Sequence, residues 1–302
     1  MSKARIAVIG AGLMGHGIAQ VFALAGHAVT ITDSVKASLD SATSRIAANL
    51  KDLGDDPAAV DRVTACADLG EAVRDADYVV EAVLEDLALK QKLFAEIERQ
   101  VRPDTILASN TSVIPITQIM GSLQHRDRAL GTHWWNPPYL VPLVEVIGTG
   151  WTAQNAIDWT IRLHADAGKT PVHVKKDVPG FVGNRLQHAL WRECVALVQN
   201  GICDAETVDT VIKASFGRRL AVLGPLENAD LVGTDLTLAI HKTVLPDLDR
   251  TPGALPYLEK LVADGRLGMK SGEGFRRWTP EQQAALRARV LQHLKRARDS
   301  EA

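Results

Sequence analysis

The stretch Arg5–Asp33, RIAVIGAGLMGHGIAQVFALAGHAVTITD, decides the fold. Arg5 to Ile9 is a short apolar run of the kind that makes a buried parallel strand. Gly10-Ala11-Gly12-Leu13-Met14-Gly15 follows, and a helical pattern then runs to about Ala25 before Gly26 stops it. Ala28 to Thr32 reads as a second strand, closed by Asp33. A lone GxGxxG is weak evidence. This one follows a strand, opens a helix and precedes an acid at the expected distance of about 20 residues, which makes it a dinucleotide site. Gly10 permits the tight turn, Gly12 lets the backbone approach a pyrophosphate, and Gly15 lets helix and strand pack closely. Ala11, Leu13 and Met14 complete the candidate cofactor loop. Asp33 can accept both ribose hydroxyls, whereas a 2′-phosphate would meet its negative charge, so NAD is favoured over NADP. His16, beside the loop, is expected on the helix surface.

Outward from this unit, 302 residues suffice for a large core and predict two domains. A formal net charge of −2 gives no electrostatic case for nucleic acid or an anionic membrane. The longest apolar runs are strand-sized, and MSKARIAVIG enters a strand with no signal-peptide pattern. Cys66, Cys194 and Cys203 are scattered and odd in number, which fits a reducing compartment and neither a disulfide frame nor a metal site. A cytoplasmic protein is expected.

Strands alternate with helices through the first half. Ser34 to Asp61 reads as a helix followed by a polar turn, with strands near Val63 and from Tyr78 to Val83. A helix opens at Glu85 with acids in its first turn and includes Lys90. Thr105 to Ala108 is the next strand, ending in Ser109-Asn110-Thr111-Ser112 at a strand edge where open α/β sheets place ligands, although a simple capped turn would look the same. Two strands, about 129–134 and 142–147, flank a bend holding Pro137, Pro138 and Pro142. If they pair antiparallel about Tyr139, His133 faces Glu145, and a carboxylate there would fix the tautomer of the imidazole and raise its basicity. A buried structural histidine beside an edge-strand acid is the competing explanation. Thr152 is expected to cap a helix to about Ala167, with Gly168 closing it, and Pro171 to Val174 is a strand. Lys175 to Gly180 reads as a hinge. Beyond it the pattern is helical throughout, at Phe181–Gln199, from Asp204, at Leu231–Leu245, at Tyr257–Ala263 and from Thr279, with apolar faces suited to a second subunit.

The whole chain resembles the 3-hydroxyacyl-CoA dehydrogenase superfamily. GAGLMGHGIA, VEAVLEDLALK, SNTS, HWWNPP with LVEVI, PGFVGNRL, GPLENADLVG and GMKSGEGF occur in that family's order and spacing. The resemblance implies an α/β, Rossmann-like NAD-binding domain over residues 1–178 and an all-helical substrate and dimerisation domain over residues 179–302. It implies a homodimer with the active site in the cleft between domains. It casts His133 as general acid/base, Glu145 as its orienting partner, and Ser112 and Asn184 as hydrogen-bonding groups for the reacting oxygen. Gly10, Gly12, Gly15 and Asp33 would hold NAD, with Glu85, Lys90 and Asn136 nearby and Lys270 as a further cofactor-side lysine.

Three departures bear on the substrate. Trp134 and Trp135 replace the two phenylalanines common in the active-site motif, changing the pocket and adding indole donors. The segment after the second strand is shorter than in acyl-CoA members, and its turn, Asp52-Leu53-Gly54-Asp55-Asp56, is acidic, which argues against CoA although Arg45 and Arg62 could partly compensate. Asn184, His188 and Arg192 recur at four-residue spacing on one helix face, and arginine suits a bidentate grip on a carboxylate. Arg192 could instead pair with Glu193 or an interdomain acid. These features resemble the family's non-CoA branches, which include L-gulonate 3-dehydrogenases, L-carnitine dehydrogenases and the pyridine-carboxylate dehydrogenases of vitamin B6 degradation. The expected function is hydride transfer between NAD and a small 3-hydroxy acid or hydroxy/aldehyde carboxylate. Two alternatives are a short-chain L-3-hydroxyacyl-CoA dehydrogenase, with a thioester substrate, and a non-catalytic NAD-binding structural or sensor protein.

Overall fold

A computed structural model describes residues 3–301. The chain divides into two compact units, Met1–Arg185 with Gln292–Ala302, and Leu186–Leu291.

The first unit alternates strand and helix. In chain order it holds β1 (Arg5–Ile9), α1 (Gly15–Leu24), β2 (Ala28–Thr32), α2 (Lys36–Asp40), α3 (Ala42–Leu53), β3 (Val63–Ala65), α4 (Leu69–Val73) and β4 (Tyr78–Glu81). There follow α5 (Leu87–Glu98), β5 (Ile106–Ser109), α6 (Ile116–Met120), β6 (Ala129–Trp134), β7 (Leu143–Ile147), α7 (Gln154–Asp166) and β8 (Thr170–Val174). Among the described residues eight strands form one sheet, ordered β3-β2-β1-β4-β5-β6-β7-β8. Neighbours run parallel from β3 to β6, β6 meets β7 antiparallel, and β7 meets β8 parallel. Strand order reverses between β1 and β4, so the crevice for a ligand opens at the carboxyl ends of these strands.

The sheet is covered on both faces, which is why its strands read as unbroken apolar runs. Along β1, Ile6 and Val8 join one core cluster while Ala7 and Ile9 join the other. The long helix expected from Ser34 is interrupted at Ser41, whose hydroxyl bonds back to the Ala37 carbonyl at 2.8 Å, and the turn after Gly54 continues as a 3-10 segment, Pro57–Arg62. Asp86 caps α5, its carboxylate accepting the Leu89 amide at 2.8 Å. Thr152 does not cap α7. Its hydroxyl donates to the Ala129 carbonyl at 2.8 Å, tying the helix entry to β6, and Ala153 takes the cap position. The presumed hinge is anchored, because the Asp177 carboxylate accepts the Ile116 and Thr117 amides at 3.0 and 2.7 Å and so caps α6. Residues 179–185, assigned by sequence to the second domain, group with the first unit.

The second unit is helical. It holds α8 (Gly183–Gln199) from Leu186 onward, α9 (Ala205–Ala214), α10 (Pro225–Val232), α11 (Thr234–Val244), α12 (Pro256–Ala263) and the first part of α13 (Pro280–Glu301). Asp204 caps α9 by accepting the Thr207 amide at 2.7 Å. The helix expected over 231–245 is split by Gly233, whose φ of 96° ends α10 and starts α11. Phe181, read as helical, instead precedes α8 with φ 48°.

Candidate active site

The glycine loop has the geometry its sequence requires. Gly10 adopts φ 98°, and a Cβ there would stand 2.6 Å from the Ala82 carbonyl oxygen. A Cβ on Gly15 would lie 1.6 Å from the Gly10 carbonyl oxygen, so only glycine closes this turn. At Gly12 a Cβ would meet nothing within 4 Å, leaving open space at the one position where a pyrophosphate must come close. Helix α1 begins here without a side-chain cap, so its amide end is available to an anion. Asp33, at the end of β2, accepts the Ala11 amide at 2.6 Å and the Val35 amide at 2.7 Å, which fixes its carboxylate beside the loop. Leu13 is exposed, and Met14 packs against the core. These residues fit a dinucleotide.

His16 is buried, not on the helix surface: its Nδ1 lies 2.7 Å from the Gly12 carbonyl and 3.2 Å from Arg45 Nη1. Burial lowers its pKa, the Gly12 carbonyl works against this, and the Arg45 charge adds to it. Arg45 is committed behind the loop, donating to the carbonyls of Ala11, Gly12 and Ser38. Arg62 donates to the Ala23 carbonyl at 3.3 Å. Both arginines are thus taken up by backbone carbonyls of their own unit. The basic residues of α13 do more than solvate it, since Lys295 pairs with Asp52 at 2.7 Å and Arg298 with Asp55 at 2.9 Å.

β6 and β7 pair antiparallel with His133 opposite Glu145, the register expected from the bend. His133 Nδ1 lies 2.7 Å from Glu145 Oε2, with the two residues 3% and 1% exposed. Glu145 Oε1 accepts the Val182 and Gly183 amides at 2.9 and 3.0 Å, at the start of α8. Burial works to raise the pKa of Glu145, but the hydrogen bonds from His133, Gly183 and Val182 outweigh it and hold the carboxyl below its ordinary range. An ionised acid therefore holds Nδ1–H, and Nε2 carries the lone pair, with no protein partner among the described residues.

Asn184, the residue after Gly183, donates from Nδ2 to the Ser112 carbonyl at 2.8 Å, so Ser112 and Asn184 are brought together beside the carboxylate of the pair. The Ser112 loop hangs on Glu85, whose Oε1 accepts from Thr111 Oγ1 at 2.6 Å and from the Ser112 and Val113 amides at 2.8 and 3.2 Å. The SNTS turn is thus both self-capped, with the Ile114 amide on Thr111 Oγ1 at 3.0 Å, and fixed to the α5 entry. Lys90 is wholly buried; its ammonium faces Glu81 at 2.6 Å and Glu85 at 3.3 Å, and so bears on a cofactor only through Glu85. Glu81, which sequence reading passed over, also accepts Ser109 Oγ at 2.6 Å. Its signal was its place: the last residue of the strand at the switch point.

Trp134, a candidate substrate residue, lies in the core instead. Adjacent side chains on a strand point to opposite faces, and its ring packs in the core against Phe22 and His164 at 5.6 and 5.1 Å. Trp135 lies on the His133 side, with its ring 5.2 Å from His133 and against the Gly183 backbone. Phe181 closes the other side at 5.7 Å. Asn136 is exposed in the bend. His188 and Arg192 lie exposed on α8, in the second unit. Arg192 Nε stands 3.7 Å from Asp249 and does not pair with Glu193, which instead accepts the Asp249 amide at 2.9 Å. Lys270 is exposed in the same unit.

The family model for the 3-hydroxyacyl-CoA dehydrogenase NAD binding domain matches residues 5–178, and that for the C-terminal domain matches residues 180–278. The chain belongs to the 3-hydroxyacyl-CoA dehydrogenase family. As a member of that family it is an NAD-dependent dehydrogenase acting on a CH–OH group. It is similar to 5-formyl-3-hydroxy-2-methylpyridine 4-carboxylate 5-dehydrogenase of Mesorhizobium japonicum, 37% identical over 294 residues, spanning 96% of this chain and 95% of that one. It is 40% identical over 263 residues to L-carnitine dehydrogenase of Streptomyces griseus, spanning 82% of this chain and 78% of that one. Among solved structures, 5-formyl-3-hydroxy-2-methylpyridine 4-carboxylic acid 5-dehydrogenase, described as an NAD+ dependent dismutase, superposes with a TM-score of 0.91. That match is at 36% identity and covers 98% of this chain and 97% of that one.

Proposed function

We propose that the family's dehydrogenase chemistry is directed here at a small carboxylate-bearing alcohol or aldehyde, with His133 as the proton acceptor. The observation that carries this is the buried 2.7 Å bond from His133 Nδ1 to Glu145, which leaves Nε2 as the basic nitrogen. Bound NAD supplies the acceptor for the hydride that leaves the carbon bearing the hydroxyl, in the alcohol itself or in the hydrate that an aldehyde forms with water. His133 Nε2 takes the hydroxyl proton, and the imidazolium so formed is stabilised by Glu145. In the reverse direction the same proton returns to the carbonyl oxygen. Ser112 Oγ and the Asn184 amide hold the reacting oxygen, Trp135 and Phe181 limit water at the imidazole, and Arg192 with His188 grips the carboxylate. Gly10 to Gly15, Asp33, Glu85, Asn136 and Lys270 form the cofactor side, with Lys90 acting through Glu85.

The committed state of Arg45 and the paired acidic turn at Asp52 and Asp55 support a substrate other than a CoA thioester. In this reading residues 1–178 hold NAD and the acid/base pair, and residues 179–302 add further substrate contacts and the subunit contacts; the match of the NAD binding domain to residues 5–178 supports the first part. A homodimer fits α10 and α11, which bury no residue of their own and leave Leu226, Leu231 and Leu238 exposed. A cytoplasmic setting fits the three free cysteines, and no helix among the described residues is long and apolar enough to cross a membrane.

The test is NAD+ reduction with L-carnitine, L-gulonate, 5-formyl-3-hydroxy-2-methylpyridine 4-carboxylate and 3-hydroxybutyryl-CoA. Turnover is expected on a free carboxylate, and Arg192→Ala is expected to raise its KM. Brisk turnover of the thioester with micromolar affinity would overturn the substrate class, and an unchanged KM in Arg192→Ala would remove that residue.

A further inference from the structure

One part-buried cation of the first unit, Lys169, lies at the bend that joins the two site strands. Lys169 follows α7, and its backbone position is fixed by the helix end. Gly168, at φ 75°, donates to the Ala165 carbonyl at 2.9 Å, and the Lys169 amide donates to the His164 carbonyl at 3.0 Å, a Schellman closure. From there the side chain reaches inward. Its ammonium donates to the Pro138 carbonyl at 2.5 Å and the Val141 carbonyl at 2.6 Å, and lies 5.3 Å from the centre of the Trp134 ring. Thr170 adds a third tie, its amide donating to the Pro142 carbonyl at 2.9 Å.

We propose that Lys169 is a positioning residue for the acid/base pair: its charged ammonium locks the bend between β6 and β7, and with it the setting of His133 and Trp135 against Glu145. The inference rests on the proton-transfer role assigned to His133. Both hydrogen-bond partners are carbonyls that no other side chain bonds among the described residues, so Lys169 adds the side-chain tie to a bend otherwise held by backbone bonds from Leu140 and Val141 to Pro137 and from Thr170 to Pro142. Charge makes those bonds about twice as strong as neutral ones and adds the attraction of the indole face. Trp134 thereby acquires a role from the core side, where it faces the cation that ties the bend.

Geometry is matched by the electrostatics. Burial lowers the Lys169 ammonium to about 8. His164 on α7, near it, is held neutral by burial at about 4, and Tyr139 in the bend is pushed up by burial and by the Asp52 charge. Lys169 is therefore the group here whose charge changes just above neutrality, and turnover falls on an alkaline limb as its proton is lost.

Lys169→Met should lower kcat by on the order of ten- to a hundredfold, the scale of a misplaced catalytic group, while NADH affinity stays within about threefold. Lys169→Arg keeps a charge that does not titrate, so if the methionine variant fails to fold, this one still decides: its alkaline limb disappears. A readout free of cofactor and substrate is the tryptophan emission that Trp134→Phe removes. In wild type it steps as the ammonium titrates, and in Lys169→Arg it does not. An alkaline limb or emission step that persists in Lys169→Arg would overturn the proposal, as would Lys169→Met turning over like wild type. If His133→Gln also keeps its turnover, the proton-transfer role itself fails. If His133→Gln is inactive while the Lys169 variants behave as wild type, only the positioning role fails.

Discussion

Replacing Glu145 by glutamine leaves the shape of the site almost unchanged and reverses its proton logic. One oxygen of Glu145 accepts two amides, from Val182 and Gly183, and the other accepts His133 Nδ1–H. A glutamine can satisfy the two amides only by turning its oxygen toward them, which presents its NH2 to His133. Nδ1 must then accept, the proton moves to Nε2, and the nitrogen facing the substrate is no longer a base. The opposite orientation would leave two part-buried amides facing the glutamine NH2 without an acceptor, at up to about 1–3 kcal/mol each or roughly 2–6 together. At about 1.4 kcal/mol per tenfold, the wrong tautomer is favoured by on the order of thirtyfold to ten-thousandfold. Glu145→Gln is therefore expected to lower kcat by on the order of thirtyfold, with NADH affinity and thermal midpoint close to wild type. Steady-state NADH formation gives kcat, NADH fluorescence gives affinity, and imidazole nitrogen shifts report the tautomer directly. A variant that turns over like wild type, or whose Nε2 stays unprotonated at neutral pH, would refute the reasoning.

Three further outcomes can be checked. Gly12→Ala should fold normally, since its Cβ meets nothing within 4 Å, yet bind NADH weakly, whereas Gly15→Ala, with its Cβ 1.6 Å from the Gly10 carbonyl, should lose both stability and binding in urea titrations and fluorescence. Trp134→Ala should lose about 3–5 kcal/mol of stability as a core truncation, while Trp135→Ala should keep its fold and raise KM, as denaturation and kinetics would separate. His164 is held at about 4 by burial against its ordinary 6.5, so below 6.5 the unfolded imidazole takes a proton that the folded one refuses. Its contribution to stability is full above 6.5 and falls as the pH drops toward 4, by about 2 kcal/mol at pH 5, and denaturation of His164→Gln should lack that loss.

The βαβ start was legible because its signal is local: an apolar run, three glycines with separate steric duties, and an acid at the next strand end. The His133–Glu145 pairing was legible because period-two register about a short bend leaves few choices. The alternation that set His133 facing Glu145 also sends Trp134 to the other face, so its core position could have been read from the same rule. Other features were not local. The second oxygen of Glu145 is held by the start of α8, whose amides come from 37 and 38 residues further along the chain. Lys90 is buried because Glu81 and Glu85 converge on it from a strand end and a loop, and Lys295 meets Asp52 across 243 positions. Thr152 had the sequence of a cap, but a carbonyl on β6 competed for its hydroxyl. Strand order and the split at Gly233 likewise depend on packing that no short window contains.

The most direct test of the account is the rate of NADH formation by His133→Gln under saturating NAD+ and carboxylate substrate, measured beside its NADH affinity. General acid–base catalysis contributes about a hundredfold to ten-thousandfold, so kcat should fall by at least about a hundredfold while the nucleotide binds as in wild type. Turnover within a few-fold of wild type would show that some other group carries the proton.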